Sequence, residues 1–75
     1  MERLSELVNR VRELRARDRL SQQELAQRIG ASRQTIALIE RGDYSPSVVL
    51  ALKIAAAFKV QVEDIFSIQE EEREQ

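Results

Sequence analysis

Arg33, Gln34, Ala37 and Leu38 combine residue types and spacings that suit one chemistry, the reading of base edges in duplex DNA. At about 100° per residue they fall, with Arg41, on the side of a helix opposite Ile36 and Ile39, and no acid interrupts that side. In the major groove Arg pairs bidentately with guanine, Gln pairs with adenine, and a small or apolar side chain touches the thymine methyl. Competing chemistries lack their reagents. The chain has no Cys and no His, which removes thiolate, imidazole and zinc-ligand chemistry together, so no enzyme, no metal and no cofactor is expected.

The elements that must hold those side chains are written in the local sequence. Ser21 with Glu24 three residues on makes a capping box, and Leu20 with Leu25 makes the hydrophobic staple of a helix start. Leu25, Ala26 and Ile29 then keep helical spacing up to Gly30, which enters left-handed backbone space without a Cβ clash and ends the helix abruptly. Ser32 caps a second helix almost at once, and Gly42 ends it. Two short helices joined at a tight turn, over residues 21–42 with the reader at about 32–41, are the specification of a helix-turn-helix.

Residues 9–66 resemble the Cro/CI (XRE) family of helix-turn-helix regulators. The resemblance is carried by Arg12-Glu13-Leu14-Arg15, Leu20-Ser21-Gln22-Gln23-Glu24-Leu25-Ala26, Gly30-Ala31-Ser32-Arg33-Gln34-Thr35-Ile36, Ile39-Glu40-Arg41-Gly42, Pro46-Ser47 and Val60-Gln61-Val62-Glu63-Asp64-Ile65-Phe66. It implies an all-α, compact five-helix lambda-repressor-like domain that binds double-stranded DNA through the major groove. By position, Arg33, Gln34, Ala37 and Leu38 would face base edges, while Gln22, Ser32, Arg41, Tyr44 and Ser45 would lie along the phosphate backbone. Arg15 is similar to the family's arginine that pairs with the glutamate closing the recognition helix, here Glu40. Two residues depart from the pattern. Lys59 stands where the family has Gly after the fourth helix, and Gln61 where it has a better cap for the fifth, each costing about 1 kcal/mol or less.

Two apolar patterns exceed what such a domain needs. Leu4, Leu7, Val8, Val11 and Leu14 recur at spacings of three or four, which predicts a first helix extended back to the N-terminus and ending near residue 17. The fourth helix is apolar nearly all round: Val48, Ala51, Leu52, Ala55 and Phe58 form the expected core stripe, and Val49, Leu50 and Ala57 surround Lys53 opposite. Leu4, Leu7, Val49 and Leu50 are therefore the expected candidates for a homodimer interface.

Length, charge and hydropathy bound the rest. Seventy-five residues make one small domain, expected over 1–68 and followed by an acidic tail at 69–75. The net charge of −1 hides a division: residues 1–60 hold eleven Lys/Arg and seven Asp/Glu, a balance of +4, whereas residues 61–75 hold one Arg and six acids, a balance of −5. Phosphate attraction follows the local basic patch rather than the overall charge. No run of about 18 apolar residues and no signal peptide occur, so a cytoplasmic location, no membrane partner and no small-molecule effector domain are expected. The expectation is a repressor that binds an inverted-repeat operator as a homodimer, the alternative being an antitoxin or adaptor of the same fold that acts through a protein partner.

Overall fold

In the computed structural model, which describes residues 5–70, the local chemistry of the motif is realised bond by bond. Helix α2 (Gln22–Ile29) starts with the Glu24 amide donating to Ser21 Oγ at 3.0 Å and the Ser21 amide donating to Glu24 Oε1 at 2.8 Å. Gly30, at φ +72°, turns the chain out of it. Helix α3 (Arg33–Arg41) starts with the Thr35 amide on Ser32 Oγ at 3.0 Å and stops at Gly42, at φ +83°. Before the motif lies α1 (Val11–Asp18), and after it α4 (Val48–Phe58), capped by Ser47 Oγ, which accepts from the Leu50 amide at 3.1 Å.

These four helices close over one core. Val11, Leu25, Ile36, Ile39, Ile54, Phe58 and Ile65 are buried almost completely, with Leu14, Leu20, Ala26, Ile29, Ala55 and Phe66 around them. Ile36 and Ile39 thus anchor the inner side of α3 and turn the side that bears Arg33 and Gln34 outward.

Three expectations are corrected. The first helix does not extend to the N-terminus: Ser5–Asn9 is a strand, β1, paired antiparallel with a second strand, β2 (Phe66–Glu70), with Leu7 opposite Ile68 and Asn9 opposite Phe66. The helical spacing of Leu7 and Val8 loses to a ladder whose other half lies at the far end of the chain. Asn9 and Arg10 fix the break. Asn9 Oδ1 accepts from the Val11 amide at 3.0 Å, the Arg10 amide donates to the Ile65 carbonyl at 2.9 Å, and Arg10 itself is non-helical at φ −120° and ψ 29°, so α1 begins only at Val11. Leu4 lies outside the described residues.

The five-helix count also fails. The expected fifth helix is a single 3₁₀ turn, Val62–Asp64, that leads into β2, and among the described residues the fold is four α-helices with a two-stranded sheet rather than all-α. Its start is better held than Gln61 promised, because the Gln61 amide donates to the Asp64 carboxylate at 2.9 Å. Strand β2 also runs through the boundary expected between residues 68 and 69.

Finally, α4 is rotated from the expected wheel. Ile54, Ala55 and Phe58 are its buried residues, Leu50, Ala51 and Ala57 flank them, and Val48 and Leu52 face solvent with Val49. A helix apolar on nearly every side does not define its own inner face; packing against α2 selects it.

Candidate nucleic-acid interface

The outer side of α3 is laid out from its N-terminus. Arg33 and Gln34 are exposed in the first turn, and Ala37 and Leu38 are half-buried in the next. Among the described residues neither Arg33 nor Gln34 forms a hydrogen bond through its side chain, so their donors and acceptors face solvent. Ser32, Arg41, Tyr44 and Ser45 are all exposed at the two ends of the helix. The Ser32 hydroxyl is engaged in capping and lies 2.9 Å from Thr35 Oγ1.

The other end of α3 is fastened by a carboxylate. Glu40, with its side chain 1% exposed, accepts from Arg15 Nε at 2.6 Å, from Arg15 Nη2 at 3.2 Å and from Gln22 Nε2 at 3.1 Å. Arg15 also donates to the Leu20 carbonyl at 2.9 Å. One side chain on α3 therefore ties α1 and the first residue of α2 to the last turn of α3. Burial disfavours the Glu40 anion, but the hydrogen bonds from Arg15 and Gln22 and the charges of Arg15 and Arg12 outweigh it, holding its carboxyl below the ordinary value. Among the described residues no buried side-chain nitrogen or oxygen lacks a partner.

Three participants had not been singled out in the sequence. Arg12 Nε stands 3.7 Å from Glu40 Oε1 with its side chain 73% exposed. Asn9 Nδ2 donates to the Ile39 carbonyl at 2.9 Å and so ties the end of β1 to the last turn of α3. Asp43, an acid just past the helix, takes the Arg41 guanidinium at 2.8 Å. Asp43 could have been found from its spacing to Arg41; Asn9 could not, because its partner is thirty residues away. Of the expected interface residues, Val49 is exposed on α4, Leu7 is half-exposed on β1, and Leu50 packs against the core of its own chain.

This geometry has relatives. The profile of the helix-turn-helix family matches residues 11–65. The HTH-type transcriptional regulator YgzD of Bacillus subtilis is 54% identical over 65 residues, covering 87% of this chain and 98% of that protein. The HTH-type regulator MJ0272 of Methanocaldococcus jannaschii is 48% identical over 66 residues, covering 88% of this chain and all of its own length. Among solved structures, the restriction-modification controller protein C.AhdI of Aeromonas hydrophila superposes with a TM-score of 0.70 at 38% identity, over 73% of this chain and 83% of that one. The transcriptional regulator VanUg, at 20% identity, shares the fold with a TM-score of 0.75 over 93% of each chain.

Proposed function

The chain belongs to the XRE family of helix-turn-helix transcriptional regulators, DNA-binding proteins rather than enzymes, and from that premise we propose that it is a repressor that binds an inverted-repeat operator as a homodimer. The observation that carries the reading is the exposed, acid-free outer side of α3, held rigidly by Ile36 and Ile39 beneath and by Glu40 at its end. With α3 in the major groove, Arg33 and Gln34 reach base edges, and Ala37 and Leu38 supply apolar contact. Gln22, Ser32, Arg41, Tyr44 and Ser45 border the same surface and take the phosphate backbone, which fixes register without reading sequence.

A second copy supplies the second half-site. Val48, Val49 and Leu52, at 75%, 62% and 54% exposure, form an apolar strip on α4 beside a shallow depression lined by Ala51, Ala55, Val60 and Val62. Burying aliphatics of this size stabilises by roughly 1.5–3 kcal/mol each before the cost of association is subtracted. Reading two half-sites one helical turn apart requires the two copies of α3 to lie about 34 Å apart. Occupying the operator then excludes polymerase.

Selection of bound duplexes from a random pool, followed by titration against single-base variants, tests the reading. Arg33→Ala and Gln34→Ala should each weaken binding to the selected site by about 1–3 kcal/mol and relax preference at separate base pairs, with unfolding unchanged. Selection that returns no common sequence, or unaltered preference in both variants, contradicts it.

A further inference from the structure

We propose that Arg12, outside the helix-turn-helix itself, is a second arm of the DNA-backbone clamp and works beside Gln22 on one phosphate; the inference rests on the DNA-binding reading above. Glu40 Oε1 is the point of convergence. It accepts from Gln22 Nε2 at 3.1 Å and Arg15 Nη2 at 3.2 Å, while Arg12 Nε stands off at 3.7 Å, near enough to be attracted and too far to be hydrogen-bonded.

The charges here do not balance. Two guanidiniums face one carboxylate, and Arg15, only 16% exposed, takes both of its oxygens. The other neighbouring acid, Glu13, is occupied by Arg10 through bonds of 3.2 and 3.1 Å. The surplus positive charge therefore resides on Arg12, whose guanidinium keeps its donors free among the described residues. An arginine that served only to stabilise this corner would sit within bonding distance and be covered, as Arg15 is. Arg12 does neither.

Gln22 completes the site. Its amide is held in place by Glu40 through one N–H, which leaves the second N–H and the amide oxygen unengaged among the described residues. A carboxylate buried in the last turn of α3 thus places a free amide proton and an uncompensated guanidinium at the edge of the reading surface. A phosphodiester oxygen pair matches that combination of a planar cationic donor and a neutral one. The carboxylate itself is too deeply covered to repel the phosphate directly.

The experiment is affinity against log salt on short duplexes of random sequence, for wild type, Arg12→Gln and Arg12→Lys, with urea unfolding of each. The Gln variant should show a slope shallower by about 0.9 and an equal loss on every sequence, with its urea midpoint lowered by no more than about 1 M, the small loss expected of an exposed charge near Glu40. The Lys variant should recover the slope. A Gln variant parallel to wild type, or a Lys variant as shallow as Gln, overturns the Arg12 contact and leaves the DNA-binding reading intact. A wild type that binds no duplex even at low salt overturns both.

Discussion

Removing the Glu40 carboxylate should cost this domain a large share of its stability. The side chain is almost wholly covered and accepts three hydrogen bonds, two of them from Arg15, which is itself only 16% exposed. Breaking a fully buried pair by deleting one partner costs about 3–5 kcal/mol, because the other charge stays uncompensated. Here Arg15 retains the Leu20 carbonyl and a wet edge, so Glu40→Ala should lose about 2–4 kcal/mol. A chain of this size has roughly 4–11 kcal/mol in total, and with a urea slope near 1 kcal/mol/M the midpoint should fall by about 2–4 M. Glu40→Gln repairs little, since its amide nitrogen turns a donor toward Arg15 and Gln22. A double-mutant cycle built from Glu40→Gln and Arg15→Lys should show coupling of about 1–3 kcal/mol, and coupling below about 0.5 kcal/mol refutes the reasoning.

Acid gives an independent check. The folded-state carboxyl of Glu40 lies below its ordinary value of 4.5, so the stability it contributes is fully present above that pH and is lost as pH falls through the depressed value. Wild type should therefore lose stability below about pH 4.5 more steeply than Glu40→Gln.

Other predictions follow from single contacts. Asp43→Asn frees Arg41 from its 2.8 Å pair and should raise affinity for duplexes of any sequence, measured by the same titrations at fixed salt. Leu52→Glu places a charge in the proposed α4 strip and should shift sedimentation toward monomer while helical content is kept. Lys59 closes α4 at φ +61°, so Lys59→Gly should stabilise by about 0.5–1 kcal/mol in urea unfolding.

The parts of this protein that were legible in the sequence are those whose physical causes lie within a few residues. Ser21 with Glu24, Ser32 with Thr35, and the glycines at 30 and 42 determine where α2 and α3 begin and end, because caps and left-handed turns are made by neighbours. The periodicity of Ile36 and Ile39 likewise determines which side of α3 remains outside. Tertiary structure decided the rest. Leu7 and Val8 carry a helical spacing yet form a strand, since their partners Ile68 and Ser67 come from the opposite end of the chain. The rotation of α4 could not be read from a helix apolar almost all round and was set by its packing against α2, which leaves Ile54 buried. The pairing of Arg15 with Glu40 was implied by the family resemblance, but the arrival of Arg12 and Gln22 at the same carboxylate was not: only the packing of α1 and α2 against the last turn of α3 brings a second guanidinium and an amide onto it. Short-range bonds are specified by the order of residues, whereas a shared core sets which distant groups must face one another.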